Sequence, residues 1–394
     1  MKRDTRLVHA ARPEYIDGRR PVNPPVVRAS TVDFATTAGM EAARRTGLAG
    51  EQSFTYGVHG TPTTFALEAF ITELEGGHGT QLFSSGLEAI SAVFLGFLRP
   101  GDHVLVVDTV YSPVRSLLSG FLAERGISFD FYSPRDPDLG RLIRPRTRMI
   151  YTETPGSVSM ELQDISAIAA LARQHDDITV VCDNTWSSGY CFRPLAHGAH
   201  LSIVAGTKYL CGHSDVLLGS VTADAATFAT LRRTRAMLGC SVSPDDCALT
   251  LRGARTLHIR YPAHAARALA VAQWLTTQPA VAQVHYPALP GSPDHALWQA
   301  QYDGAAGLFS IELDAALRGQ AAALVDALTL FGRGASWGGF ESLALPCDMG
   351  ANRSVDDWQG RGEMIRLHIG LEDPQDLIDD LRQAFARIRP AARP

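Results

Sequence analysis

Between residues 61 and 253, short apolar runs alternate with stretches of helical length, and no other feature constrains the fold as much. Residues 80–83, 103–107, 128–132, 149–151, 178–182 and 201–205 are apolar or β-rich. Between them lie 65–74, which reads as a helix closed by Gly76-Gly77, then 86–98, 114–124 and 165–174. In the second of these, Leu87, Ile90, Phe94 and Phe97 recur at helical spacing until Pro100-Gly101 stops it. Strands alternating with helices imply a mainly parallel sheet covered on both faces, an α/β fold.

The carboxyl edge of such a sheet is where ligands collect. The run 178–182 ends in Asp183-Asn184-Thr185-Trp186, and 201–205 ends in Gly206-Thr207-Lys208. A carboxylate and a primary amine then face one crevice. Pyridoxal phosphate chemistry wants this pair: the lysine bonds the cofactor aldehyde, and the acid keeps the ring nitrogen protonated so that the ring accepts electrons. Either residue alone is better explained as a solvated loop lysine or a turn aspartate, and only the two together point to this chemistry.

Several motifs add to the pair. D-N-T-W at 183–186, T-K-Y-L-C-G-H-S-D at 207–215, S-S-G-L at 84–87, Y-G-V-H-G-T-P-T at 56–63, S-W-G-G-F-E-S at 336–342 and I-R-L-H-I-G-L-E-D at 365–373 stand in this order. With them the chain resembles the pyridoxal-phosphate enzymes of cysteine and methionine metabolism, from about Thr5 to about Ile388. The resemblance implies an aspartate aminotransferase-like fold: a seven-stranded, mainly parallel sheet in the cofactor domain and a smaller α+β C-terminal domain.

The resemblance also assigns roles. Lys208 is the cofactor lysine and Asp183 the partner of the ring nitrogen. Gly86 and Leu87, at a strand-to-helix junction where free amides cradle a phosphate, become phosphate donors with the Thr207 hydroxyl. Tyr111 stacks on the ring and assists Lys208 in proton transfer. Tyr56 reaches the phosphate of a neighbouring subunit and helps deprotonate the incoming amine. Arg366 clamps the substrate carboxylate, in place of a buried ion pair with a protein carboxylate. Trp337 and Ser336 wall the pocket, Trp337 being otherwise a packing residue. One position departs from the family: Val58 stands where an arginine usually follows Tyr56, with His59 as the nearest replacement. S-W-G-G, and the lack of a cysteine just after Tyr111, imply β-elimination of cystathionine. A γ-synthase or γ-lyase type of activity is the alternative within the family, and a cofactor-binding regulatory protein is the alternative of another class.

Residues 1–60 carry Pro13, Pro21, Pro24 and Pro25 and little periodicity, which predicts an extended arm ordered by packing on a neighbouring subunit, or else a partly disordered leader. The cofactor domain is expected over 61–256 and the C-terminal domain over 257–394. In the latter, a helix over 263–275, strands at 281–286, 308–313 and 365–369, and a last helix capped by Asp373 are expected. The last helix carries an apolar stripe, Leu377, Leu381, Phe385 and Ile388. A net charge of −5, well dispersed, argues against nucleic-acid binding. Six cysteines without C-x-x-C spacing read as free thiols. No apolar run suits a signal peptide or a membrane span. A cytoplasmic protein with a small-molecule substrate and no metal is expected, and the resemblance implies a homotetramer of dimers that share active sites.

Overall fold

A computed structural model of the chain describes residues 1–388 except 176, 351, 356, 357, 359 and 360. The end of the expected C-terminal domain, 389–394, lies outside the described residues. Seven strands form the large sheet: β1 (Gly79–Phe83), β2 (His103–Val107), β3 (Ser128–Tyr132), β4 (Thr147–Glu153), β5 (Thr179–Asp183), β6 (Leu201–Ala205) and β7 (Gly219–Ala223). Their order is β1-β7-β6-β5-β4-β2-β3. β7 runs antiparallel to both its neighbours, and all other pairs are parallel. β1, β2 and β7 are buried along their whole length, as expected of a sheet covered by helices on both faces.

Local chemistry sets the helix ends. The helix Pro62–Glu75 starts with Thr61 accepting the Thr64 amide and proline in its first turn, and it closes on left-handed Gly76. The helix Gly86–Phe97 starts on Ser85, whose hydroxyl accepts the Glu88 amide. The stretch 114–124 is less regular than its pattern predicts: an α turn Ser112–Ser116, a π-helical segment Leu117–Leu122 and a 3₁₀ turn Ala123–Arg125.

A second sheet, wholly antiparallel in the order β10-β11-β9-β8, comprises β8 (Val281–His285), β9 (Leu308–Leu313), β10 (Leu343–Cys347) and β11 (Met364–His368). The long helix expected from residue 263 instead begins at Leu257 and runs through Pro262 to Leu275. Tertiary contacts offset the hydrogen bond a proline removes. Arg260 donates to the carbonyls of Tyr209 and Gly253, and buried Tyr261 donates to Trp186 O at 2.8 Å. Further bonds tie the sheets together, Trp186 Nε1 donating to Leu308 O at 2.9 Å. The last helix, Pro374–Phe385, is capped by Asp373 as expected.

Residues 1–60 are extended for much of their length but contain two helices, Arg3–His9 and Thr37–Leu48. The first docks on its own chain: Leu7 is buried, and Arg255 donates to the carbonyls of Leu7, Val8 and Ala10. The second buries no residue. All six cysteines are free. Among the described residues no helix is long and apolar enough to cross a membrane.

Candidate active site

Three parallel strands deliver their last residues to one edge. Glu153 closes β4, directly paired with Asp183 at the end of β5, and Asp183 is in register with Ile203 of β6. Past β6 the chain turns at Gly206, where an added Cβ would meet Leu218 at 2.5 Å, and presents Lys208. The Lys208 ammonium donates to Ser336 Oγ at 2.9 Å and lies 5.5 Å from the centre of the Trp337 ring. Burial first, then the nearby Arg366 guanidinium, hold the Lys208 amine down at about 8, with Asp183 opposing them. An amine in that range loses its proton near neutrality and becomes nucleophilic.

Asp183 is buried, and Oδ1 accepts the Thr185 amide at 3.0 Å and the Thr185 hydroxyl at 2.6 Å. The Tyr151 hydroxyl adjoins it. Glu153 accepts the Tyr111 amide at 2.7 Å and the Ser157 hydroxyl at 2.5 Å. Burial and mutual repulsion raise the Glu153 carboxyl, and burial raises that of Asp183. Two adjacent buried acids resist carrying two charges, so a cationic group at this edge is favoured.

Arg366 of β11 completes the ring of charges. Its Nη2 donates to Ser336 O at 3.0 Å. Burial lowers it, with Cys347 and Tyr111 near enough to oppose that effect. Among the described residues no carboxylate pairs with it. The alternative of a protein ion pair is therefore not realised there, and a largely desolvated guanidinium is left to meet an anion. Tyr111 is 46% exposed, with Glu153, Asp183 and Arg366 all close enough to act on its phenol.

At the other end, the amides of Gly86 and Leu87 open a 12-residue helix and make no hydrogen bond among the described residues. Gly86 leaves no room for a side chain, since a Cβ would stand 2.8 Å from Ala205 Cβ. The Thr207 hydroxyl is engaged with Leu218, accepting its amide at 2.9 Å. These groups fit pyridoxal phosphate: open amides for a phosphate, an acid for the ring nitrogen, a desolvated amine for the aldehyde and a guanidinium awaiting a carboxylate.

Tyr56 is not brought to this cluster within the chain. It is half exposed, bridged to Thr31 through the backbone and edge-on to His59 at 6.0 Å. His59 Nδ1 lies 3.3 Å from the Thr55 hydroxyl. Sequence reasoning missed Glu153, Tyr151 and Thr185 around Asp183. Glu153 closes β4 two residues past the apolar run 149–151 that marks this strand in the sequence.

Comparison with known proteins agrees on the family. Residues 4–386 match the family described as Cys/Met metabolism PLP-dependent enzyme. The chain is 48% identical to a cystathionine beta-lyase of Bordetella avium, over 94% of this chain and 93% of that protein. It is 40% identical to a cystathionine beta-lyase of Escherichia coli, over 98% and 99%. Among solved structures, cystathionine gamma-lyase of Lactobacillus plantarum complexed with L-serine is similar with a TM-score of 0.89. That protein is 31% identical, and the match covers 99% of this chain and 100% of the other.

Proposed function

The chain belongs to the Cys/Met metabolism PLP-dependent enzyme family, and from that premise we propose that it cleaves L-cystathionine by β-elimination. With water, the products are L-homocysteine, pyruvate and ammonia, a step of methionine biosynthesis. The observation that carries the reading is the desolvated Lys208 amine, set between the Asp183 carboxylate and an Arg366 guanidinium that has no carboxylate partner among the described residues.

Held by Lys208, Asp183, Tyr111, the Gly86 and Leu87 amides and the Thr207 hydroxyl, pyridoxal phosphate supplies an electron sink for a carbanion at the substrate α-carbon. The chain supplies the rest. Arg366 grips the α-carboxylate and, with the wall of Ser336 and Trp337, aims the Cα–H bond at Lys208. Lys208 removes the α-proton and returns a proton to the departing sulfur, with Tyr111 assisting. Tyr56 of a neighbouring subunit reaches the phosphate and helps deprotonate the incoming amine. The arm 1–60 makes that contact between subunits, 61–256 binds the cofactor and 257–394 closes over the substrate, in a cytoplasmic homotetramer of two dimers. The two beta-lyases at 48% and 40% identity support the choice of bond. Similarity to the Lactobacillus plantarum gamma-lyase favours a second reading, cleavage at Cγ.

The test is a visible spectrum of the purified protein followed by addition of L-cystathionine. Pyruvate and thiol in equal amounts are expected. 2-Oxobutanoate in place of pyruvate selects the second reading, and a protein that stays colourless and inert after reconstitution with the cofactor overturns both.

A further inference from the structure

Four residues, 336–339, form the wall facing Lys208, and few groups hold them. Their hydrogen bonds among the described residues are those to Lys208 and Arg366 given above and two to His368. His368 Nε2 lies 3.1 Å from both Gly338 N and Gly339 O. Residues 366 and 368 alternate with 367 along β11 and so share one face of the strand. Arg366 therefore takes the near end of the wall and His368 the far end.

The wall needs such anchoring. Ser336 is a non-glycine residue at φ 74°, a left-handed conformation that persists only when the surroundings impose it. Gly338, at φ 88°, lies so close that a Cβ there would stand 2.8 to 3.0 Å from the backbone of Lys208 and Tyr209. His368 also reaches back towards the lysine: Nδ1 is 3.5 Å from the Tyr209 hydroxyl, which accepts the Gly307 amide at 2.8 Å.

We propose that His368 is a positioning residue for the reaction, a neutral imidazole that fixes 336–339 so that the Ser336 hydroxyl meets Lys208 and the Ser336 carbonyl meets Arg366. The inference rests on the functional reading above and adds the residue that sets how tightly the α-carboxylate is gripped. Burial, with His264 and Arg366 nearby, holds His368 at about 3. The ring thus stays uncharged at neutral pH, and Nε2 serves one backbone partner at a time, accepting the Gly338 amide in the Nδ1–H tautomer or donating to Gly339 O in the Nε2–H tautomer.

His368→Gln and His368→Leu separate positioning from bulk. The glutamine amide can accept from Gly338 and donate to Gly339, whereas leucine can do neither. In the holoenzyme we expect His368→Gln to keep KM for L-cystathionine within about threefold of wild type. His368→Leu is expected to raise it about tenfold or more, as for loss of one buried polar anchor, with a smaller fall in kcat. Affinity for unreactive L-alanine, read from the visible absorbance, should fall in parallel. If His368→Leu does not fold, His368→Asn takes its place, being too short to reach Gly338. Equal KM and L-alanine affinity in the glutamine variant and in its leucine or asparagine counterpart overturn the inference while leaving a lyase-active wild type intact. A wild type without cofactor absorbance or keto-acid product removes both.

Discussion

Val58 sits half-buried in the turn Gly57–His59, where the family resemblance expects an arginine. A guanidinium on a phosphate oxygen makes a charge-assisted hydrogen bond, typically worth ~1.5 to 3 kcal/mol. Valine makes none, and His59, the nearest replacement, has Nδ1 on the Thr55 hydroxyl at 3.3 Å. Cofactor loss should therefore be fast for this chain, and Val58→Arg should slow it by about ten- to a hundredfold. The visible absorbance retained after dilution and filtration reads this directly, and an unchanged or faster loss refutes it. Arg366 presents the complementary case. Its charge is kept at a position of low solvation with no carboxylate pairing it among the described residues, a cost that a bound anion would offset. The lowered Lys208 amine is partly the effect of that same guanidinium, so the residue proposed to grip the substrate carboxylate also acts on the amine.

At the scale of elements, the wall 336–339 is as constrained as the strands around it. Gly338→Ala asks a left-handed position to accept a Cβ, roughly 1 to 2 kcal/mol by itself, and pushes that Cβ against the Lys208 backbone. We expect a thermal midpoint several degrees lower and kcat/KM down at least tenfold. Gly334→Ala in the same segment meets nothing within 4 Å and lacks a positive φ, so it should change neither. Such constraints are invisible in a sequence, whereas the strands that deliver Lys208 and Asp183 are not. β2, β6 and β9 coincide with the apolar runs that predict them, because buried strands select Val, Ile, Leu and Phe, and the edge strand β3 coincides with its aromatic run. β7 escapes because G-S-V-T-A is small and polar despite full burial. β10 escapes because Pro346 argues against a strand, and it is an edge strand, where proline is tolerated. Lys208 and Asp183 are legible as polar residues closing apolar runs. Glu153 is not, since the run 149–151 stops two residues short of it. His368 reads as an ordinary strand residue until its contact with Gly338 and Gly339, distant in sequence, is seen.

For the whole molecule, buried acids and histidines set opposing slopes of stability with pH. Burial pushes both Glu68 and Glu75 up to about 7, far above the ordinary 4.5. Between 4.5 and 7 the folded chain then holds protons that the unfolded chain has released. The stability each protonated acid contributes is fully present below pH 4.5 and is lost as pH rises to 7, by roughly 3 kcal/mol per acid at most. His264, held at about 4, and His368, at about 3, act with the opposite sign. Their neutral forms contribute above pH 6.5, and that contribution is lost as pH falls towards 4 and 3. Glu75 is the cleaner acid to test. It lies in a buried cluster, with Asn184 Nδ2 donating to Oε1 at 3.2 Å, Ser202 and Arg193 nearby, and no hydrogen bond to Oε2 within 3.5 Å among the described residues. Glu75→Gln keeps the shape and removes the titration. Measured by urea unfolding at fixed cofactor saturation, the variant should gain about 2 to 3 kcal/mol on wild type between pH 5 and pH 7. Parallel curves for the two proteins over that window would mean that Glu75 is ionised in the folded state, its charge carried by Arg193 in spite of burial.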